Sequence, residues 1–350
     1  MDKALARLAA SLALALALPL RAAGDEAASA PVQAAEPARL AAHGLLIAIA
    51  SAGERLVAVG DRGIIVRSDD QGASWRQADY VPTQALLTGV CFFDAQRGVA
   101  VGHDEVILAT TDGGVHWQRT HAAPEAQRPL LDVWCGRGGQ VIAVGAYSTY
   151  LTSNDGGMSW LDAKFKPAAP AAPAGARARA PAPPADAEAV EEGAGGGYHL
   201  NRIVGAPGGR LYIAAEAGHL YASENEGASW RTLASPYEGS FFGVLPLTGE
   251  ALLAFGLRGH LYRSADAGAT WKAIETGTVA MLTGAAASGS DAIAVVGLSG
   301  VVLVSRDGGR SFALQQQGDR SGLSAVFPAG DATLAVVGEG GARLIRSAPR

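Results

Sequence analysis

The chain has 350 residues, of which 49% are hydrophobic and 17% are charged, and its formal net charge is −5. This length and composition leave room for one large domain or two ordinary ones with a sizeable core. The acidic balance disfavours nucleic-acid binding, which needs a basic face, and adsorption to anionic lipid. The 46 glycines recur at fixed offsets, which favours an all-β protein with many turns over a disordered one.

The first 24 residues have the features of a secretory signal peptide. Lys3 and Arg7 form a basic start, residues 8–20 are apolar, and small side chains at residues 22–24 predict cleavage after Gly24. The apolar run is too short to span a bilayer comfortably, which disfavours the alternative of an uncleaved membrane anchor. We therefore predict a soluble periplasmic protein that does not insert into the membrane after cleavage.

One short pattern, Ser/Thr-x-Asp-x-Gly-x-Ser/Thr-Trp, recurs along the chain and is known as an Asp-box. Its third residue is Asp70, Asp112, Asp155, Asn225, Asp266 or Asp307, and its closing aromatic is Trp75, Trp117, Trp160, Trp230, Trp271 or Phe312. Successive copies lie 41 to 43 residues apart, except for one interval of 70 residues between Trp160 and Trp230. A period near 40–45 residues is the length of a four-stranded propeller blade.

Each repeat has the pattern of four strands, A to D from the centre outward. In the fifth repeat they are predicted at residues 241–245, 251–256, 260–264 and 270–273. Continuous apolar runs mark strand B and suit strands buried on both faces. Seven inner strands are expected, beginning near Leu45, Leu86, Leu130, Leu200, Phe241, Met281 and Leu323. The sequence therefore predicts an all-β fold, a seven-bladed β-propeller of four-stranded antiparallel blades.

The propeller is predicted to occupy residues 43–350, with two irregular segments. The seventh repeat has no fourth strand after residues 343–347, so we expect residues 25–42 to supply the outer strand of blade seven and close the ring. Residues 167–197 are rich in alanine, proline and glycine and cannot offset their ordering entropy by burial. They are predicted to form a disordered insertion between blades three and four, either a plain linker or a docking segment.

The two cysteines, Cys91 and Cys135, each follow a Leu-Leu pair by the same offset, which predicts equivalent positions in neighbouring repeats. Export to an oxidising compartment permits a disulfide between them. The alternative is two small buried core residues. Two cysteines alone make no zinc site, and the seven histidines lack metal-ligand spacing, so we expect no metal and no cofactor.

The repeated motif is interpreted as architecture because it recurs at one structural position. Its aspartate can accept backbone N–H groups of its own turn, its glycine suits a positive φ, and its tryptophan opens strand D and is buried against the neighbouring sheet. A calcium loop would need several alternating oxygen ligands and a bidentate glutamate, which do not follow. The chain also lacks a G-x-S-x-G elbow, an H-E-x-x-H pair and a phosphate-binding Gly-Lys loop, so no catalytic residues and no enzyme activity are predicted.

A partner would bind where loops break the repeat. In a propeller the D-to-A loops and B-to-C turns share one face, and the motif turns lie on the other. On the first face, irregular aromatic, basic and acidic residues are predicted to form a rim round a central channel, with ordinary turn packing as the alternative for each one. The candidates are Arg62, His103, Asp104, Tyr147, His199, Asn201, Arg202, Glu216, Tyr237, Glu238 and Arg258. Phe241 and Phe242 belong either to this rim or to the core.

The motif series and the Ala-Val-Gly strand lines resemble the photosystem II stability/assembly factor family of β-propellers, over residues 43–347. Residues 199–201, 235–243 and 256–259 are similar to its non-photosynthetic bacterial branch. The resemblance implies a non-catalytic factor that binds a membrane protein complex or transporter through protein–protein contacts, from the exported side of the membrane. A basic patch is associated with the photosynthetic members. This sequence departs from that pattern, because only Arg62, Arg202 and Arg258, among several acidic residues, correspond to it.

Two further functions are considered. Asp-boxes also occur in glycoside hydrolases of the sialidase type, which need an arginine triad and a tyrosine nucleophile with an acidic partner. An Arg-Ile-Pro motif is absent from this sequence, which disfavours that class. The other alternative is a propeller that binds a small ligand.

Overall fold

The computed structural model describes residues 33–169, 197–330 and 332–347. The predicted signal peptide and residues 170–196 of the predicted insertion lie outside these ranges, and both remain predictions. At the edge of the insertion, Ala168 belongs to the described fold, because its N–H donates to Trp230 O at 2.8 Å and its carbonyl accepts from Thr232 N at 2.9 Å. None of the helices in the described ranges is long and apolar enough to cross a membrane.

The strands, numbered β1 to β27 in chain order, form seven separate sheets. Blade one contains β1 (Leu46–Ala52), β2 (Arg55–Gly60), β3 (Ile65–Ser68) and β4 (Arg76–Gln77); blade two contains β5 (Leu87–Phe92), β6 (Gly98–Gly102), β7 (Ile107–Thr110) and β8 (Gln118–His121); blade three contains β9 (Leu130–Cys135), β10 (Val141–Gly145), β11 (Tyr150–Ser153) and β12 (Leu161–Asp162); blade four contains β13 (Leu200–Ala206), β14 (Arg210–Ala215), β15 (Leu220–Ser223) and β16 (Arg231–Thr232). Blade five contains β17 (Phe241–Pro246), β18 (Leu252–Gly256), β19 (Leu261–Ser264) and β20 (Lys272–Ile274); blade six contains β21 (Leu282–Ser288), β22 (Ala292–Gly297), β23 (Val301–Ser305) and β24 (Ala313–Gln316); blade seven contains β25 (Leu323–Gly330), β26 (Thr333–Gly338) and β27 (Arg343–Arg346).

All pairings within the sheets are antiparallel, and each inner strand lies beside the inner strand of the next blade. The inner strand of blade seven returns to that of blade one, which closes the ring. Every inner strand begins within one residue of its predicted position. The predicted seven-bladed propeller is therefore confirmed, with four strands in six blades and three in the described part of blade seven.

Apolar side chains between neighbouring blades form the core. Strand B is buried along its length in every blade, apart from its first residue in some. Between blades two and three, for example, Val99 and Val101 pack in one buried cluster with Val133 and Val141. The continuous apolar runs thus bury both faces of each central strand, as the sequence predicted.

Every inner strand has a bulge at its second residue. The register against strand B shifts there in all seven blades, as between Leu87 and Gly89 in blade two. A bulge leaves its extra residue unpaired and re-aims its side chain. This device turns one side chain per blade toward the axis of the propeller.

The structure describes residues 33–42 of the segment that was predicted to supply the outer strand of blade seven, and these residues form no strand of that blade. They lie along blade one, where Ala35 N donates to Val81 O at 2.9 Å and Ala38 N to Gln77 Oε1 at 2.8 Å. The segment meets blade seven at its end, where Ala42 O accepts from Ala342 N at 2.8 Å. The 3₁₀ turn at Ala41–His43 directs the segment across the outer strand of blade one, and residues 25–32 lie outside the described ranges.

The two cysteines form a disulfide that joins blade two to blade three. Of the two alternatives open from the sequence, the structure has the bonded one. Their predicted equivalence is wrong by one residue: Cys91 faces Val99, whereas Trp134 is the residue that faces the corresponding Ile142. The reason is that the first leucine of one Leu-Leu pair and the second of the other begin their strands.

Candidate partner-binding face

The motif turns carry one repeated hydrogen-bond network. In blade one, Asp70 Oδ1 accepts from Ser74 N at 2.8 Å, and Ser68 Oγ accepts from Gly72 N at 2.8 Å. Gly72 has a φ of +91°, which a glycine adopts without strain. The Ser74 hydroxyl and N–H and the Ser68 hydroxyl, all donating to the carboxylate, lower the pKa of Asp70 to about 2. These side chains are occupied in fixing their own turn.

The closing aromatic of each motif packs against the preceding blade. Trp117 is 2% exposed and lies in one cluster with Val57 of blade one. Its indole donates to Gly114 O at 3.2 Å, and its ring meets Phe92 edge-on at 6.2 Å. The hydrogen bonds, glycine conformation and aromatic packing expected of the motif are present.

Turns on the two ends of the blades are tied to different neighbours. On one face, the B-to-C turns donate to the chain just before strand A, as from His103 N to Leu86 O at 2.9 Å. On the other face, the motif turns donate to the A-to-B turns, as from Gly156 N to Gly139 O at 2.8 Å. The two faces therefore have the predicted composition, and we call the first one the B–C face.

The middle residue of the B-to-C turn is held in the left-handed region in six of the seven blades. Five of these turns are short 3₁₀ helices, at Asp61–Gly63, His103–Glu105, Ala146–Ser148, Leu257–Gly259 and Leu298–Gly300. The other 3₁₀ helices of the described residues, Ala41–His43, Pro124–Ala126 and Arg137–Gly139, lie elsewhere. Arg62, Asp104, Tyr147 and Arg258 have φ between +52° and +59° and are exposed. This backbone geometry presents the four predicted side chains on the B–C face. A glycine often follows, since a Cβ at Gly259 would lie 2.1 Å from Thr278 O.

Three predicted residues meet where blades three and four adjoin. The rings of Tyr147 and His199 pack edge-to-face, with centroids 5.0 Å apart. The Glu216 carboxylate contacts His199 twice: it accepts the backbone N–H of His199 at 3.0 Å, and it lies 3.3 Å from the ring Nδ1. Tyr147 is 47% exposed, so this cluster leaves an aromatic face open to solvent beside a carboxylate.

Two stacked aromatic columns continue the surface over blades four and five. In the first, the rings of Tyr198 and His219 stack at 4.0 Å, with Tyr221 beneath. In the second, Tyr237 and His260 stack at 4.3 Å above Tyr262. The two histidines occupy the same position after their B-to-C turns. The B–C face thus carries a patch of aromatic rings over blades three to five, which we call the aromatic patch.

The bulge residues line the central channel below this face. They are Ile47, Thr88, Leu131, Asn201, Phe242, Thr283 and Ser324, and together with Asp132 and Arg202 they enclose a cavity of about 190 Å³. Some of them also link blades. Asn201 Nδ2 donates to Phe241 O at 2.8 Å, and the hydroxyls of Thr88 and Thr283 donate to the first inner-strand carbonyl of the following blade. Phe241 is buried core, whereas Phe242 faces the channel.

An ion pair at the channel replaces the small residues of the other blades. Asp132 Oδ2 accepts from Ile203 N at 3.0 Å and lies 3.5 Å from Arg202 Nε. Burial raises the pKa of the Asp132 carboxyl, and Arg202 opposes that rise. Sequence reasoning missed Asp132. The sequence did contain a sign of this site, because Asp132 is the third residue of its inner strand, where five blades have glycine or alanine.

A second buried acid was also missed. Glu105 occupies a B-to-C turn position that is glycine in five other blades, has a φ of +50° and is 1% exposed. It accepts from Arg128 Nε at 2.6 Å and lies 3.1 Å from His121 Nε2. Arg128 continues to Asp162 at 3.0 Å, so the network ties blade two to blade three. The absence of the turn glycine was its sequence signal.

The predicted rim therefore divides into parts. Tyr147 and Glu216 both contact His199, and Tyr237 belongs to the adjoining column. Asn201 and Arg202 line the channel, while Glu238 and Arg258 are exposed on blade five. Arg62, His103 and Asp104 lie on blades one and two, apart from the aromatic patch. Within the described residues, no three His, Cys, Asp or Glu side chains stand together as a metal site.

Part of this chain matches a known protein family. The family model described as "Photosynthesis system II assembly factor YCF48" matches residues 68–200. The resemblance to photosystem II assembly factor β-propellers is confirmed. No curated protein matches the chain.

Solved structures of such factors have the same fold. One described as "YCF48 bound to D1 peptide" has a TM-score of 0.65 at 16% identity, covering 91% of this chain and 97% of that chain. YCF48 from Cyanidioschyzon merolae has a TM-score of 0.64 at 15% identity, covering 89% of this chain and 97% of that one. The WD40 β-propeller domain of Doa1 is similar too, with a TM-score of 0.62 at 11% identity and coverage of 89% and 95%. At these identities the likeness shows the fold.

Proposed function

We propose that this protein is an exported, non-catalytic binding factor that assists the assembly or stability of a membrane protein complex. The family match supports an assembly-factor role of the YCF48 kind, and the similar structure with a bound D1 peptide supports binding of a membrane protein segment. The predicted signal peptide supports action from the periplasmic side. The bacterial branch of the family, and a transporter as partner, remain part of this proposal.

The aromatic patch is the observation that carries the proposal. Tyr147 and Tyr198 are 47% and 46% exposed although each packs on a histidine ring, and Glu216 fixes one of those histidines. Preorganised aromatic rings lose little conformational entropy on binding and are frequent anchors at protein interfaces. A partner segment would lie across blades three to five, with the channel residues Asn201 and Arg202 at its inner end.

Site-specific photocrosslinking tests this proposal. A photoreactive phenylalanine analogue replaces Tyr147 or Tyr237 on the B–C face, and Met158, which is 48% exposed on the motif face, serves as the matched control. We expect ultraviolet light to join the first two variants, in intact cells, to one polytopic membrane protein that the control variant does not capture. Equal capture from position 158, or no membrane partner from either tyrosine, would contradict the proposed site.

The export step has its own measurement. N-terminal sequencing of the protein from the periplasmic fraction is expected to begin at Asp25, after cleavage at Gly24. A mature protein found in the cytoplasm with residues 1–24 intact would refute the proposed location, whatever the crosslinking shows.

A further inference from the structure

Blade seven has an uncovered edge among the described residues. In the other six blades the third strand is buried almost throughout, because a fourth strand and its aromatic lie over it. In β27, by contrast, Leu344 and Arg346 are exposed, and Leu344 is 39% accessible. An apolar side chain that its counterparts bury is thus left open at this edge.

The same edge presents main-chain groups. Ser347 N donates to Ala332 O at 3.0 Å, and this bond sets the antiparallel alternation between β27 and β26. Leu344 and Arg346 therefore turn their N–H and C=O groups away from β26. A row of such groups is a template for an added strand.

A cleft beside this edge corresponds to the aromatic slot of the other blades. Trp117 of blade two shares a cluster with Ala50 and Val57 of blade one and meets the ring of Phe92. By strand register, the counterparts of these residues between blades six and seven are Ala286, Ala294 and Pro328.

These counterparts line an open cleft. Ala286, Ala294 and Pro328 form its walls together with Ser288 and Leu334. No described aromatic residue fills it, whereas the corresponding slots hold Trp75, Trp117, Trp160, Trp230, Trp271 and Phe312. The cleft therefore lies where an aromatic side chain packs in the other blades, and its walls include the apolar side chains of Ala286, Ala294, Pro328 and Leu334.

The sequence restricts what fills this slot. Residues 1–32, 170–196, 331 and 348–350, which lie outside the described ranges, contain no Phe, Trp or Tyr. The edge itself carries the exposed Arg346, and Arg343 beside it is ion-paired with Asp319 at 3.1 Å. The exposed positive charge of Arg346 opposes pairing with the same edge of a second copy and favours a segment with acidic side chains.

We propose that blade seven is a second docking site, which takes an extended acidic segment of a partner protein as its fourth strand. An aromatic side chain of that segment occupies the cleft between blades six and seven. Main-chain hydrogen bonds from Leu344 and Arg346 hold the strand, and the aromatic side chain gives specificity. This site lies at the outer edge of the propeller, distinct from the aromatic patch.

A peptide that copies one of the chain's own outer strands serves as the probe. The fluorescein-labelled sequence of residues 264–275, SADAGATWKAIE, carries the motif, its tryptophan and a net negative charge. We expect its fluorescence anisotropy to rise saturably with the full-length protein. The same peptide with Trp271→Ala is expected to bind at least about tenfold more weakly, since a buried aromatic anchor is lost.

Two protein variants locate the binding. Arg346→Pro removes an N–H that faces away from β26, so the fold keeps its hydrogen bonds while strand addition is blocked. Ser288→Trp fills the cleft from an exposed position, and Ser290→Trp on the neighbouring turn is its matched control. We expect the first two variants to weaken peptide binding at least about tenfold and the control to leave it unchanged.

Hydrogen exchange shows whether the edge of blade seven is free or is covered by the chain's own residues. Exchange at the Leu344 and Arg346 amides is expected to be fast in the free protein and slowed by the peptide. Slow exchange without peptide would show that the chain's own residues cover the edge, and a dimer that Arg346→Pro dissolves would show a second copy. Either result overturns the proposal, and so does equal binding of the Trp271→Ala peptide. None of these results affects the crosslinking test at Tyr147, which examines the aromatic patch.

Discussion

The disulfide between blades two and three predicts a large difference in stability between the oxidised and reduced protein. Cys91 and Cys135 are 44 residues apart in the chain, and they join strands β5 and β9, which pack side by side. Closing a loop of that length in the unfolded chain removes entropy worth about 4 kcal/mol at 25 °C. Because the two inner strands already pack together when folded, we expect most of this amount to appear as stability.

Urea unfolding followed by tryptophan fluorescence measures the effect. The oxidised protein is expected to unfold at a higher urea midpoint than the protein in dithiothreitol, by an amount equivalent to about 4 kcal/mol. The Cys91→Ser/Cys135→Ser double variant should have the urea midpoint of the reduced protein, and dithiothreitol should not change that midpoint. Identical midpoints for oxidised and reduced wild type would refute the reasoning, because they would show that the linkage does not restrict the unfolded chain.

Three further predictions concern the motif and the channel. Trp117→Ala is expected to lower the free energy of unfolding, measured in urea, by about 3–5 kcal/mol, since the ring is 2% exposed. Trp271→Ala should lower it less, because that ring is partly exposed. Equal losses would contradict the packing argument. Hydrogen bonds from Ser74 and Ser68 hold the pKa of Asp70 at about 2, below its ordinary value near 4, so its contribution is complete above pH 4 and is lost as the pH falls toward 2. The urea midpoint of Asp70→Asn should accordingly fall less between pH 5 and pH 2 than that of the wild type. Asp132→Ala is expected to lower the free energy of unfolding by about 2–3 kcal/mol, because it leaves the buried backbone N–H of Ile203 without an acceptor. Asp132→Asn keeps an acceptor and should lower it by less than half as much.

The choice of fold was open to sequence reasoning because the repeat has a local cause. Each copy of the motif contains its own turn: a hydroxyl, a carboxylate and a positive-φ glycine satisfy one another within a few residues. Strand B is likewise marked by its own apolar run. These features need no knowledge of the rest of the chain, so seven blades and the structural role of Asp70 and Trp117 could be predicted.

Register was less predictable, because it depends on which residue a bulge leaves unpaired. Two Leu-Leu pairs look alike in the sequence, yet the inner strands begin at different members of them, and Cys91 and Cys135 differ by one position. The same bulge sends Asn201 to the channel, where it binds the next blade. The residue chemistry was visible in the sequence, but the direction of each side chain was not.

Contacts between distant parts of the chain were decided by the tertiary structure alone. The path of residues 33–42 along blade one, the stacking of Tyr198 and Tyr237 on their histidines, and the pairing of Asp132 with Arg202 all join segments that no local rule connects. By itself, the sequence determined the repeated unit, because hydrogen bonds and apolar periodicity within about forty residues define a blade. The ring determined the proposed binding surfaces, because only radial packing brings irregular loops of different blades together and, over the described residues, leaves blade seven with three strands.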